Sequence, residues 1–104
     1  MRAGDMDRRI MIQGVEYIFD DYGGYEEVWT DVATVWAEVK QESGREFFAA
    51  AAIQSERKVV FRLRWLDGIT VVHRVLYGGR EHNIHEVREL GRQEGLELHT
   101  TTTG

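Results

Sequence analysis

The chain has four histidines and no cysteine, so a metal site would have to be built from imidazole and carboxylate groups. His82 and His85 are three residues apart, which places them on opposite faces of a strand. His73 could approach His82 across a hairpin, but two imidazoles without a placed carboxylate make a poor site. We therefore expect no metal ion, and we expect each histidine to be exposed or satisfied by ordinary hydrogen bonds.

Catalytic residues are also hard to find. Glu26 and Glu27 are adjacent, but the surrounding sequence predicts a flexible loop rather than a rigid cleft that would shift a carboxyl pKa. The chain has no nucleophile elbow, no P-loop and no dinucleotide fingerprint, and the Gly-Gly pairs at 23–24 and 78–79 are typical of turns. The sequence therefore predicts a non-enzymatic protein without a cofactor.

Length and composition are typical of one globular domain that spans residues 1–104. Forty-two per cent of the residues are hydrophobic and thirty per cent are charged, which excludes a disordered or membrane-spanning class. No apolar run approaches the ~20 residues of a membrane span, and the first residues lack the apolar core of a signal sequence. We expect synthesis in the cytoplasm and no membrane partner.

The stretch from Asp31 to Glu46 organises the predicted fold. Residues 32–40 alternate with a period of two and are apolar on both faces, which favours a central strand. Ser43 and Glu46 fit a capping box, and the four alanines that follow Phe48 favour a short helix over residues 44–55.

Further strands are predicted on both sides of this segment. We expect a mainly β fold of five or six antiparallel strands, closed into a small barrel or sandwich, with one short helix and a long acidic loop. The Gly-Gly pair at 78–79 suits a two-residue hairpin that pairs Val75 with His82. The segment 1–7 is predicted to be a flexible arm, and residues 100–104 a frayed tail. The predicted strands are residues 8–14, 57–66 (Val59, Phe61, Leu63 and Trp65 inward), 69–77, 80–87 and a last short strand around Leu96 and Leu98.

The acidic loop, residues 15–30, carries both charge and large apolar side chains. Seven acidic residues and no lysine or arginine lie between Val15 and Val39, the opposite of a DNA-reading surface. The charge indicates either a solvated loop or a surface that meets a basic partner or repels DNA. The aromatic residues indicate either a lid folded back on the barrel or anchors for a neighbouring subunit.

Arg62 and Arg64 lie on the outward face of a predicted strand. They are either solvated or a basic surface that meets the acidic loop of a neighbouring subunit. In a cyclic ring two different faces of each subunit must complement each other, which the second interpretation satisfies.

The motifs resemble, in order and spacing, those of the head–tail joining (head-closure or stopper) proteins of long-tailed bacteriophages, prophages and gene-transfer particles. The resemblance covers residues 8 to 99. The motifs that carry it are RRIMI (8–12), DDYGG (20–24), WTDVATVWAEV (29–39), SGRE (43–46), RVLYGGREHNI (74–84), ELGR (89–92) and GLEL (95–98).

This resemblance implies a virion ring, dodecameric when assembled, that joins the capsid portal or adaptor ring to the tail terminator or tail-tube protein. Packaged double-stranded DNA would pass through the lumen without sequence-specific binding, and residues 43–54 would project toward the channel. The alternative for this segment is a helix that caps one end of the barrel. Assembly would take place in the cytoplasm of a bacterial host. A tail terminator or minor tail ring protein, and a small barrel that binds nucleic acid or a peptide, remain as alternatives. The candidate interface or lumen residues are Asp20, Asp21, Tyr22, Tyr25, Glu26, Glu27, Arg45, Glu46, Phe47, Phe48, Arg62 and Arg64.

Overall fold

Six antiparallel strands form the part of the chain that the computed structural model describes, residues 3–41 and 56–103. Their order around the sheet is β1-β2-β3-β6-β5-β4, and pairing of β4 with β1 closes the sheet into a barrel. The prediction of a mainly β, antiparallel fold is confirmed. The strands are β1 (Arg8–Phe19), β2 (Tyr25–Gln41), β3 (Glu56–Arg64), β4 (Arg74–Tyr77), β5 (Arg80–Leu90) and β6 (Gly95–Thr103).

The barrel interior is filled by the alternating apolar residues of its strands. Val59, Phe61 and Leu63 of β3 are at most 3% exposed, as the period of two predicts. Trp65 is partly buried against them. The remaining core side chains are Ile10, Ile12, Ala37, Ile69, Val75, Ile84, Leu96 and Leu98.

The hairpin between β4 and β5 is confirmed. Gly78 and Gly79 have φ angles of +60° and +77°, a left-handed pair that the favoured two-residue hairpin turns require. Val75 lies opposite His82, as the turn predicts.

Residues 15–30, which the sequence predicts to be a long acidic loop, instead extend β1 and β2. The prediction of a long connection is therefore wrong. Phe19 pairs with Tyr25, and the ladder continues back through Gly14 and Thr30. The reason is composition, because tyrosine, isoleucine, phenylalanine, valine and tryptophan all favour the extended conformation. The connection shrinks to residues 20–24.

The predicted bounds differ from the structure at two further places. β4 begins at Arg74 rather than at residue 69, after a turn at Val71 and Val72. β6 runs to Thr103, so the predicted frayed tail is wrong for residues 100–103. Both Thr100 and Thr102 are buried, and their hydroxyls donate to the backbone carbonyls of Val59 and Glu81.

The sequence predicts that β2 is a central strand buried on both faces. In the structure its outer face is not buried. Ala37 is fully buried, but Trp36 and Val32 on the other face are 53% and 50% exposed. Gly4 and Met6 of the N-terminal segment border Trp36 but leave half of its side chain exposed. In the N-terminal segment, residues 3–5 form a short 3₁₀ helix and Met6 is buried, which differs from the expectation that nothing in residues 1–7 packs strongly.

The predicted helix over residues 44–55 and its capping box at Ser43 and Glu46 lie outside the described residues. Within the described parts of the chain, no helix has the length and apolar composition needed to cross a membrane.

Candidate interaction surface

The most distinctive feature is a two-stranded ribbon formed by residues 14–30, here called the projecting hairpin. In the described structure, β4 pairs with β1 at Met11, Ile12 and Gln13, and β3 pairs with β2 from Ala37 onward. Both outer edges of the projecting hairpin therefore lack a partner strand. An isolated hairpin is marginally stable in water, so the stability of this one depends on contacts at its base and at its tip.

One face of the projecting hairpin is a stripe of exposed aromatic rings. Tyr25 lies between Tyr17 and Phe19, with ring centroids 5.5 and 6.0 Å away. These three side chains are 52–73% exposed, and Tyr22 at the tip is 97% exposed. The lid alternative is therefore wrong, because a lid folded onto the barrel would bury these rings.

The tip is shaped by Asp20. Its Oδ1 accepts hydrogen bonds from the backbone N–H groups of Tyr22 (2.9 Å) and Gly24 (2.8 Å), while its own N–H donates to the Gly24 carbonyl. Gly23 has a φ of +83°, and a Cβ on Gly24 would lie 2.8 Å from Asp20 Oδ2. The predicted interface residue Asp20 thus has a structural role in holding Tyr22 outward.

Negative charge surrounds the aromatic stripe. Asp21 is exposed in the turn, and Glu26 and Glu27 are exposed at the start of β2. The register places Glu27 on the aromatic face with Tyr17, and Glu26 on the opposite face with Ile18. The structure thus brings together all six predicted residues between 20 and 27 on one tip.

The base of the projecting hairpin is held by Arg74 of β4. The Arg74 Cζ lies 4.0 Å from the Trp29 ring centroid, and its Nε donates to Gln13 Oε1 at 2.9 Å. Gln13 Nε2 in turn donates to Asp31 Oδ1 at 2.9 Å. No pattern in the sequence indicates this contact, because it joins residues far apart along the chain.

A second exposed surface lies at the opposite end of the same strands, on the outside of the barrel. Arg9 pairs with Trp36 across β1 and β2, with its guanidinium carbon 5.0 Å from the ring centroid. The register of β2 with β3 places Arg64 beside Trp36 on the other side. We call these three residues the arginine–tryptophan row. Arg9 and Trp36 are not among the interface residues predicted from the sequence. Thr34 and Glu38 are polar and lie on the same face of β2 as Trp36, a signal of an exposed face from which the row could have been found.

Arg62, predicted on a basic face with Arg64, is ion-paired inside the chain. Its Nε donates to Glu97 Oε2 of β6 at 2.6 Å, and Glu97 Oε1 lies 2.7 Å from His99 Nε2. Burial acts to raise the pKa of the Glu97 carboxyl, but the hydrogen bonds from Arg62 and His99 outweigh it and lower that pKa. Arg64 is exposed and has no ion pair among the described residues.

The histidines have separate surroundings. His82 is buried beside Phe61, with its Nδ1 3.1 Å from the Arg80 carbonyl, and burial lowers its pKa. His73 contacts Thr70, and His85 contacts Thr101. No group of three or more potential metal ligands occurs within residues 3–41 and 56–103.

Four predicted site residues, Arg45, Glu46, Phe47 and Phe48, lie outside the described residues. The remaining eight fall on two surfaces, the tip of the projecting hairpin and the outer face of β3.

Comparison with known proteins places the chain in a family. It is similar to protein SF1141 from Shigella flexneri 2a, with 26% identity and a TM-score of 0.75, covering 98% of this chain and 96% of that one. It shares its fold with a chain from the virion of a native gene transfer agent particle, with 20% identity and a TM-score of 0.64, covering 91% and 92% of the two chains. No curated protein sequence matches significantly. The sequence model of the phage head completion proteins matches residues 1–103, and the chain belongs to that family.

Proposed function

We propose that this chain is a non-enzymatic structural subunit of a ring at the head–tail junction of a phage, prophage or gene-transfer particle. The ring joins the capsid portal or adaptor to the tail terminator or tail-tube protein. Membership of the head completion family and the fold shared with a virion chain support this role.

The observation that carries the proposal is the projecting hairpin. The barrel already has a complete core, yet Tyr17, Phe19, Tyr22 and Tyr25 remain more than half exposed on a ribbon without neighbouring strands. Exposed aromatic residues of this kind are typical of interface anchors. Nothing within residues 3–41 and 56–103 covers these rings, which supports a contact between the hairpin and another subunit.

A ring gives each copy two different contact surfaces. Head-to-tail contacts between identical subunits generate a ring when the rotation closes. The projecting hairpin and the outer face of β3 are two such surfaces, with opposite predominant charge at Asp21 and Arg64. Twelve copies assembled in the bacterial cytoplasm form the proposed ring.

Closure of the DNA channel is assigned to residues 43–54, including Arg45, Glu46, Phe47 and Phe48, which join β2 to β3. The net charge of −5 per chain disfavours adhesion of DNA, because carboxylates release no counterions from phosphate. Salt confines this repulsion to about 8–10 Å, so it acts only near the channel wall. The duplex therefore passes without sequence-specific binding.

The test is electron microscopy of particles produced without this chain. We expect heads that lose their packaged genome, together with separate finished tails. Adding the purified protein to such heads should restore joining, whereas a variant with Phe19 and Tyr22 both changed to Ser should not. Arg92→Ser, in an exposed turn, is the matched control and should restore joining fully. Normal particles in the absence of the chain would contradict the proposal.

A further inference from the structure

The tip of the projecting hairpin and the arginine–tryptophan row lie at opposite ends of one strand pair. Tyr25 and Trp36 are eleven residues apart on β2, a separation of about 36 Å in an extended strand. The strand between them is continuous and paired with β1. A tip therefore cannot reach the row of its own chain, and any contact between them joins two copies.

We propose that the tip of the projecting hairpin in one copy docks on the arginine–tryptophan row of the next copy. Asp21, Tyr22 and Tyr25 form the donor, and Arg9, Trp36 and Arg64 form the acceptor. This inference rests on the proposed ring and names the contact that builds it.

The acceptor has the chemistry that such a tip needs. Trp36 is 53% exposed between the two guanidinium groups, and Arg64 has no ion pair within the described residues. Tyrosine rings can stack on the indole and on the guanidinium planes, while the Asp21 carboxylate supplies the opposite charge. Trp, Tyr and Arg are also the residues that dominate interface energetics.

A groove beside the row offers space for a side chain. It is lined by Met6, Val35, Trp65 and Leu66 together with Trp36 and Arg64 of the row, and its volume is ≈ 280 Å³. A wider pocket of ≈ 460 Å³ adjoins it at Met6, Trp36 and Arg64, so a protruding tyrosine side chain has room to enter. Tyr22, 97% exposed and held outward by the Asp20 turn, is the side chain placed to enter it.

The surroundings favour a protein tip over a nucleic acid strand. Asp7 lines the outer part of the groove, 3.8 Å from Arg8 Nε, and would repel a continuous run of phosphates. Binding of single strands also requires a basic groove that follows the backbone, whereas the row offers two guanidinium groups. Single-stranded DNA is nevertheless a competing occupant that the experiment must distinguish.

Cross-linking tests the contact directly, because the natural chain has no cysteine. Glu26→Cys places a thiol near the tip, and Asp7→Cys places one at the edge of the groove. Equal amounts of isotope-labelled and unlabelled double variant are treated with a bis-maleimide about 10 Å long. We expect a ladder of covalent oligomers and mixed-label peptides that join positions 26 and 7. Glu26→Cys with Arg80→Cys is the matched control and should give no ladder, because Arg80 lies beside Arg57, about 23 Å along β3 from Arg64.

Charge variants in the cross-linking background identify the acceptor. Arg64→Glu should reduce the cross-linked yield at least tenfold, Arg64→Gln should reduce it less, and Asp21→Lys should partly restore the yield in the Arg64→Glu chain. Circular dichroism confirms that each variant is folded. A ladder unaffected by Arg64→Glu, equal linkage in the control pair, or absence of any ladder at millimolar protein would overturn the inference. Loss of single-stranded DNA binding in Arg64→Glu with an unchanged ladder would also overturn it.

The two proposals can fail separately. If heads leak without the chain but positions 26 and 7 never link, the junction role stands and this contact is wrong. If they link strongly but particles form normally without the chain, the contact stands and the junction role is wrong.

Discussion

The guanidinium carbon of Arg74 lies 4.0 Å from the ring centroid of Trp29, and this contact connects the barrel to the projecting hairpin. The same side chain donates to Gln13 of β1, and its Nη1 lies 3.3 Å from Glu81 Oε2 of β5. One residue of the short strand β4 therefore holds both strands of the projecting hairpin at their base. Hairpins without further strands are marginally stable, so this anchor determines whether the tip is presented in one orientation.

Replacing Arg74 should loosen this anchor. Arg74→Met should lower the free energy of unfolding by about 1–3 kcal/mol, because it leaves Gln13 without its donor and removes the stacking on Trp29. Arg74→Lys should recover less than half of that loss, since an ammonium lacks the planar fork of a guanidinium. Urea unfolding measures the free energy of unfolding of both variants. Arg92→Met at an exposed turn is the control, and an Arg74→Lys variant as stable as the natural chain would contradict the prediction.

Asp20 should control order at the tip and leave the barrel unaffected. Asp20→Ala removes the acceptor for the N–H groups of Tyr22 and Gly24, so amide hydrogen exchange at those two residues should accelerate. Asp20→Asn retains a side-chain oxygen and should exchange nearly as slowly as the natural chain. Exchange at Phe61 in the core should be the same in all three proteins. Faster exchange at Phe61 would contradict the prediction.

Glu97 should contribute stability at neutral pH that is lost in acid. Its pKa is lower in the folded chain than the ordinary value of 4.5, so the folded state binds fewer protons around that pH. The stabilisation by Glu97 is complete above pH 4.5 and disappears as the pH falls through the pKa of the folded state. Glu97→Gln should lower the free energy of unfolding by about 1–2 kcal/mol at pH 7, and the difference should shrink at pH 3.

The control for this effect is Glu86→Gln, because Glu86 pairs with Arg88 at an exposed site. Exposed pairs contribute about 0–1 kcal/mol, so its effect should be small at both pH values. A Glu97→Gln effect that does not change with pH would contradict the assignment.

His82 should make the barrel less stable below neutral pH. Burial, acting against the backbone hydrogen bond to Arg80, lowers the pKa of its imidazole below 6.5. As the pH falls below 6.5, the unfolded chain takes up a proton that the folded chain resists, so the free energy of unfolding decreases. His82→Phe should reduce the slope of stability against pH between 7 and 5. An unaltered slope in His82→Phe would contradict the prediction.

Features that depend on near neighbours along the chain could be predicted from the order of the amino acids. The alternation of Val59, Phe61 and Leu63 was enough to identify β3 and its inward face, because successive side chains of a strand point to opposite sides. The glycines at 78 and 79 set the β4–β5 turn and its register for the same local reason. The acidic, aromatic character of residues 15–30 was also visible, although their strand pairing was missed.

Which faces are covered and which charges meet depends on how distant strands are arranged in the folded chain. Trp36 looked like a core residue but lies on the outer face of β2, where its side chain is 53% exposed. Arg62 looked free, but the register of β3 with β6 places it against Glu97, thirty-five residues away. A period of two shows which residues share a face. It carries no information about which distant strand will lie beside them, because that choice depends on closing the whole barrel.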